Sequence, residues 1–298
     1  MIDLYSPIIN DFNNILLRIE TTNNCNFNCA FCTHSKMTRP VGYMSQELFT
    51  KIIKEASDLG IVSLDIRNFG EPLLDKELEQ KIEIAKHFGF TNVFLVTNAS
   101  LLTNERYHSL SNAGLDHIVV SISPKREFEL TRKTSFDPIM ENLKQISEAN
   151  SNLSLTIHIF SSDVSSNKEY LRLAYGLTKL GFQWNKLFEH NWAEGTEIDL
   201  DEYQLCQRVW TQFTVFWDGL VPLCCLDYNG EIILGDLKKD SLSNVINSGK
   251  YQQMRLQQLV KLPPRICQCC NNARHRGLII SSDGSSSTND EKKEKEDV

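Results

Sequence analysis

No stretch of this sequence reaches the roughly 18 uncharged apolar residues that a membrane-spanning helix needs, so no membrane segment is expected. The N-terminus, Met1-Ile2-Asp3-Leu4, has neither the basic n-region nor the apolar h-region of a secretory signal, and a cytoplasmic location is the expectation. Basic clusters with interleaved aromatics are missing too. With a formal net charge of -7 the chain lacks the cationic face that a phosphate backbone attracts, so nucleic acid is not an expected partner. What remains is ordinary globular material: 298 residues, 41% hydrophobic, enough for one large domain or two smaller ones.

Residues 15 to 190 alternate strand-like and helix-like patterns. Strands are predicted over Leu16–Ile19, Ile61–Ile66, Asn92–Val96, His117–Ile122, Leu153–Ile159 and Trp184–Phe188. Helices are predicted from the Ser45 cap to Leu59, and over Lys76–Phe88, Asn104–Asn112, Phe136–Ala149 and Lys168–Leu180. Repeated βα units predict an α/β fold with a parallel sheet whose inner strands are apolar on both faces. Six strands are too few for a closed eight-stranded barrel, so a partial (β/α)6 TIM-like barrel is expected, with its chemistry at the C-terminal strand ends. Residues 1–195 form this core. Residues 196–280 read as a small cysteine-bearing domain with hairpin signals at Asp218-Gly219 and Asn229-Gly230. Residues 281–298, with six acids and three lysines, read as a disordered polar tail.

The nine cysteines are grouped, and without an export signal metal binding is their expected use. Cys25, Cys29 and Cys32 follow the first strand. Three thiolates on a tight loop can hold three irons of a [4Fe-4S] cluster and leave the fourth open. Zinc with His34 as fourth ligand, or plain packing, are the alternatives. Downstream, Cys206, Cys224, Cys267 and Cys270 make a four-thiolate set that can close around a cubane cluster or a zinc ion.

The segment from about residue 14 to 190 resembles the radical S-adenosylmethionine (SAM) enzymes. Their Cys-x3-Cys-x-aromatic-Cys signature is matched by Cys25, Cys29, Phe31 and Cys32. The resemblance implies a SAM-binding [4Fe-4S] cluster on those cysteines and SAM as cofactor. Phe69-Gly70-Glu71-Pro72 is similar to the family's Gly-Gly-Glu-Pro segment, with Phe69 replacing the first glycine, and implies that Glu71 takes the methionine amino group. Thr97-Asn98 stands where the family often has Thr-Asn-Gly. Ser121 and Ser123 stand where relatives contact the ribose, although the Asp common near Ser123 is missing. Arg132 matches a position that often contacts the methionine carboxylate, and Phe31 is expected to lean on the adenine.

The C-terminal segment resembles the auxiliary-cluster domains of the same superfamily, through Trp217-Asp218-Gly219, Pro222-x-Cys224-Cys225-x-Asp227, Leu234-Gly235-Asp236, Ser241-Leu242 and Cys267-x2-Cys270. With no cysteine after Cys270, the resemblance is to the shortened, twitch-type SPASM-like form. It implies one auxiliary [4Fe-4S] cluster on Cys206, Cys224, Cys267 and Cys270. Cys225 and Cys269 are then spare, and either can donate a hydrogen atom to a substrate radical.

The implied activity is abstraction of hydrogen by a 5′-deoxyadenosyl radical. Only 24 residues precede Cys25, which leaves no room for a leader-peptide module, so the expected substrate is a small polar molecule: a sugar, aminocyclitol or nucleoside. The expected outcome is oxidation of an alcohol to a ketone, the auxiliary cluster taking an electron. The alternatives are cysteine-assisted epimerisation and peptide modification. Glu189, His190, Trp192 and Glu194, after the sixth strand, are candidate substrate contacts or a base. A flavodoxin or ferredoxin is the expected reductant. A non-catalytic iron–sulfur protein would need neither Gly70-Glu71-Pro72 nor Thr97-Asn98.

Overall fold

The computed structural model describes residues 6–149, 151–161, 168–187, 192–195, 197, 199–200, 203–270, 279–280 and 286–287. Six strands, β1 (Leu16–Ile19), β2 (Ser63–Ile66), β3 (Asn92–Thr97), β4 (His117–Ile122), β5 (Ser154–Phe160) and β6 (Gln183–Leu187), run parallel in sequence order. The helices between them are α1 (Gln46–Asp58), α2 (Leu78–His87), α3 (Asn104–Asn112), α4 (Lys125–Arg132), α5 (Asp137–Ser147) and α6 (Lys168–Lys179). The partial barrel expected from the sequence is present.

Local chemistry accounts for the helices. Ser45 Oγ accepts the Leu48 N–H and caps α1, and Thr103 Oγ accepts the Arg106 N–H and caps α3. Along α1 the apolar stripe Leu48, Phe49, Ile52, Ile53 and Ala56 is buried. Gly60, at φ 86°, then turns the chain out of the helix.

Two features differ from the sequence expectation. Helix α4, not foreseen, fills the connection after β4 together with α5. A seventh strand, β7 (Gln212–Val215), comes from the C-terminal segment and pairs parallel with β1, giving the order β6-β5-β4-β3-β2-β1-β7. The rest of that segment comprises α7 (Arg208–Thr211), the antiparallel pair β8 (Leu220–Pro222) and β9 (Ile233–Asp236), α8 (Leu242–Ile246), α9 (Gly249–Leu259) and α10 (Arg265–Gln268). Ile279–Ile280 pairs with Ser286–Ser287; the other residues of 281–298, including most of the expected tail, lie outside the described residues. Among the described residues no helix is long and apolar enough to cross a membrane.

One sheet face is apolar. Leu17, Ile19, Leu64, Ile66, Val93, Leu95, Ile118, Val120, Ile157, Ile159, Phe213 and Val215 are buried in the shared core. On β1 and β2 the other face is charged rather than apolar. Arg18 sits beside Asp65 on one side and Thr214 on the other, and its guanidinium binds Asp65 Oδ2 at 2.8 Å. Arg67 reaches the same oxygen at 2.7 Å. Just above, buried Glu20 takes a bidentate pair from Arg39, both bonds 2.9 Å. Arg39 also donates to the Tyr228 carbonyl and lies 3.6 Å from the Phe216 ring centre.

Breaking a buried ion pair from one side leaves an uncompensated charge. Arg39→Ala is therefore expected to cost roughly 3–5 kcal/mol in urea denaturation. Lys54→Ala, which removes an exposed pair with Asp58, is expected to cost no more than about 0.5 kcal/mol. Equal losses in the two variants would contradict the assignment.

Candidate active site

The loop after β1 carries Cys25, Cys29 and Cys32, all partly buried, and none of the nine cysteines is in a disulfide. Buried Asn23 staples this loop to the next: Oδ1 accepts the Gly42 N–H at 2.9 Å, and Nδ2 donates to the Pro40 carbonyl at 2.9 Å. His34 Nε2 is 2.9 Å from the Asn23 carbonyl, so that nitrogen carries its proton and is not a metal ligand. Among the described residues no three of His, Cys, Asp and Glu converge at the spacing a single metal ion requires. The spacing counts against a single zinc ion; the His34 bond does not, because it leaves Nδ1 able to ligate. Burial pushes the Cys25 thiol up to about 12, and it raises Cys29 and Cys32 as well. Three desolvated thiols are a poor resting arrangement and a good one for an iron–sulfur group, which binds them as thiolates.

Gly70 and Glu71 lock onto this loop. A Cβ at Gly70 would lie 2.2 Å from the Thr22 carbonyl and 2.8 Å from that of Asn24, so only glycine allows the approach. The Glu71 N–H donates to the Asn24 carbonyl at 2.8 Å. The Glu71 side chain, 2% exposed, gathers three donors: Leu73 N–H and Thr97 Oγ1 on Oε1, and Asn98 N–H on Oε2 at 2.8 Å. Pro72 begins the single 3-10 turn that Glu71 caps. Asn98 in turn donates to Asn26 Oδ1, inside the cysteine loop.

Arg132, at the end of α4, is 4% exposed. Its Nη2 donates to Ser121 Oγ at 3.1 Å, and its buried Nε has no partner. Burial lowers its affinity for a proton, and its neighbours Cys29, Cys25, Cys32 and Glu71 offset only part of that. The Ala30 N–H donates to the Thr131 carbonyl at 2.7 Å, which ties α4 to the cysteine loop. The Phe31 ring centre lies 5.4 Å from the Arg132 guanidinium. Ser123, just after β4, is buried. The sequence-predicted residues from β1 to α4 are thus brought together.

Cys206, Cys224, Cys267 and Cys270 line one pocket with Tyr203, Arg208 and Leu226. Cys225 points elsewhere: Arg208 Nη1 donates to its Sγ at 3.2 Å. Burial raises its pKa, but Arg18, Arg208 and Arg67 outweigh that and hold the thiol below its ordinary range. Cys269 is buried in the wall of a second cavity of about 290 Å³, lined also by Trp192, Glu194, Asp227, Tyr228 and Arg265. Trp192 Nε1 donates to the Phe31 carbonyl at 2.8 Å, and its ring packs on Phe69. Glu194 accepts from Lys36 and from the Tyr228 hydroxyl. Glu189 and His190 lie outside the described residues. Sequence reasoning missed Arg208 and Tyr228. Arg208 follows Cys206 by two positions and Tyr228 follows Cys224 by four, which was the available signal.

The buried Glu71 carboxyl has a pKa above 4.5, because desolvation outweighs its hydrogen bonds from Asn98, Thr97 and Leu73. An acid raised by folding stabilises the fold fully below its unfolded value, and that stability is lost as pH rises through the folded value. Glu71→Gln removes this dependence. The stability of the apoprotein variant relative to its parent should rise from pH 4.5 upward in denaturant titrations; a difference flat across pH would contradict the burial argument.

The model of the radical SAM superfamily matches residues 19–173, and that of an iron–sulfur cluster-binding domain (SPASM) matches residues 206–271. The chain is 33% identical over 131 residues to a probable GTP 3′,8-cyclase of Methanothermobacter thermautotrophicus, a stretch covering 43% of this chain and 42% of that protein. It therefore spans less than half the length of that relative. Its fold is similar to BtrN in complex with AdoMet and 2-DOIA, with TM-score 0.64 and 16% identity over 92% of this chain and 97% of that one. It is also similar to Streptococcus suis SuiB bound to S-adenosylmethionine, with TM-score 0.60 and 15% identity over 83% of this chain and 68% of that one. Membership carries with it SAM and a [4Fe-4S] cluster in the core, and the SPASM match an auxiliary cluster. With a three-cysteine loop, a buried carboxylate and an anion-seeking arginine at the ends of a parallel sheet, the chain belongs to the radical SAM superfamily, and it carries a SPASM-type iron–sulfur domain.

Proposed function

We propose that this enzyme oxidises an alcohol carbon of a small polar substrate, such as a sugar, aminocyclitol or nucleoside, to a ketone. The observation that carries the reading is a cavity beside Cys269 whose wall residue Trp192 reaches the first cysteine loop. At about 290 Å³ it lies at the lower edge of small-molecule pockets. One side is Trp192, bonded to the Phe31 carbonyl of the first cysteine loop. The other is Cys269, between two cysteines of the second group. Ala193, Leu226 and Ile266 line both this cavity and the four-cysteine pocket, so one layer of side chains separates them.

In this reading Cys25, Cys29 and Cys32 hold the SAM-binding cluster, and Cys206, Cys224, Cys267 and Cys270 hold the auxiliary one. When bound and reduced, the first cluster with SAM supplies a 5′-deoxyadenosyl radical. Glu71 has acceptor capacity left for the SAM ammonium group, and Thr97 and Asn98 fix its rotamer. Arg132 takes the SAM carboxylate on its unpartnered Nε, with Ser121 as its positioning partner rather than a ribose contact. Phe31 and Ser123 flank the adenosine. Trp192, Tyr228 and Glu194 hold the substrate. Oxidation of an alcohol removes two electrons; one leaves with the hydrogen atom, and the second must leave with a proton. The shared wall gives that second electron an exit. A flavodoxin or ferredoxin supplies the reducing electron.

The position of Cys269 favours epimerisation as the second reading, with this thiol returning hydrogen from the cavity wall. Cys225, held by Arg208 behind the four-cysteine pocket, does not serve that role.

Reconstituted protein should bind about eight irons per chain. Cys25→Ala and Cys267→Ala variants should each lose about half of that. Reduced protein with SAM and candidate polyols should form 5′-deoxyadenosine together with a carbonyl product. Absence of 5′-deoxyadenosine from fully loaded protein would overturn the catalytic reading. In deuterated water, stable deuterium in a recovered isomer, lost in Cys269→Ala, would establish epimerisation instead.

A further inference from the structure

We propose that Arg208, assisted by Gln258, sets the reduction potential of the auxiliary cluster and makes the four-cysteine pocket an electron acceptor. The inference rests on the assignment of that cluster to Cys206, Cys224, Cys267 and Cys270. Arg208 stands in the pocket wall beside all four. Its neighbours are the sulfurs of Cys225, Cys206, Cys224 and Cys270, and among the described residues no carboxylate pairs with it. Arg18 and Arg39 do have such a partner, in Asp65 and Glu20. Among the described residues Arg208 faces cysteine sulfurs rather than a carboxylate.

Gln258 adds a directed donor. It is 1% exposed, and its Nε2 is 3.5 Å from Cys267 Sγ. The Tyr203 hydroxyl donates to Gln258 Oε1, which fixes the amide with its N–H groups toward the sulfur. The Leu226 N–H points at Cys224 Sγ from 3.4 Å.

These contacts act in one direction. A cubane core on four thiolates carries about two negative charges when oxidised and about three after gaining one electron. A fixed positive charge stabilises the more negative state, and N–H···S bonds do the same. The pocket therefore draws an electron in, which suits the exit required of an alcohol oxidation. Arg208 and Gln258 act through the cluster, as positioning residues.

The test uses the full chain with Cys25, Cys29 and Cys32 replaced by Ala, so that only the auxiliary cluster is present. Its midpoint is read by EPR during dithionite titration. Arg208→Gln should bind the same iron as this parent and titrate at a more negative potential. Arg208→Lys, which keeps the charge, should stay near the parent. Gln258→Leu should shift in the same direction as Arg208→Gln, by less. Loaded Arg208→Gln and Gln258→Leu proteins that both titrate at the parent midpoint would overturn the proposal. If Arg208→Gln fails to hold iron, Arg208→Lys and Gln258→Leu decide by the same criteria. A parent that binds no four-iron cluster would remove the auxiliary assignment itself, an outcome distinct from an unmoved midpoint.

Discussion

The arrangement at the sheet's C-terminal edge depends on one buried carboxylate. Glu71 cannot be exposed, because Gly70 brings its backbone against the carbonyls of Thr22 and Asn24. It cannot be left unsatisfied either, because a desolvated carboxylate without donors is costly. Donors from the ends of β2 and β3 meet that need, and the Glu71 amide binds the cysteine loop after β1. Three strand ends are thereby fixed relative to one another by a group that keeps one acceptor site for a ligand. Arg132 complements it: a buried guanidinium with a free donor, facing the same loop.

A second ionic hub ties the two halves of the chain. Glu20 closes β1 and binds Arg39, the Asn68 amide and the Trp217 N–H. Arg39 continues to the Tyr228 carbonyl. The loop carrying the first cysteines is therefore held against the segment carrying the second ones by charges that cannot separate cheaply in a buried setting. Pairing of β7 with β1 enforces the same relation through the backbone. The inner-face cations Arg18 and Arg67 share one carboxylate, and that excess of positive charge lowers the pKa of the buried Cys225 thiol against its desolvation.

Much of this was legible in the residues. The βα alternation located β1 to β6 to within a few residues, since apolar runs bounded by glycines and helix caps carry that information locally. The cysteine spacing and Glu71 were legible through a family resemblance. Three things were not. The pairing of Leu16 with Gln212 joins segments about 200 residues apart, and a four-residue strand with Gln and Thr on its inner face has no local pattern to announce it. Helix α4 is eight residues long and starts at Pro124 with few apolar positions; it persists because Phe128 and Arg132 are buried against the cysteine loop and the sheet. The expectation of strands apolar on both faces failed at Arg18, Glu20 and Asp65, where ionic partners replace apolar contacts, and no composition count shows which charges will pair.

Phe69 shows how a departure from a family pattern acquires a physical role. Where relatives carry glycine, this ring is 3% exposed and packs on Trp192 and Tyr228, whose side chains line the cavity beside Cys269. Glycine would remove the ring contacts that Phe69 makes with both. Phe69 is also one residue from Gly70, whose position is fixed by backbone contacts too close for any side chain. A rigid point at the Glu71 segment is thus transmitted through one aromatic ring to the cavity wall. The cavity wall, drawn from residues 192–195 and 226–269, is therefore braced by the first half of the chain through Phe69, while the residues around Glu71 and Arg132 belong to that first half. Trp192, Tyr228 and their neighbours can then vary without disturbing the buried carboxylate on which the strand ends depend.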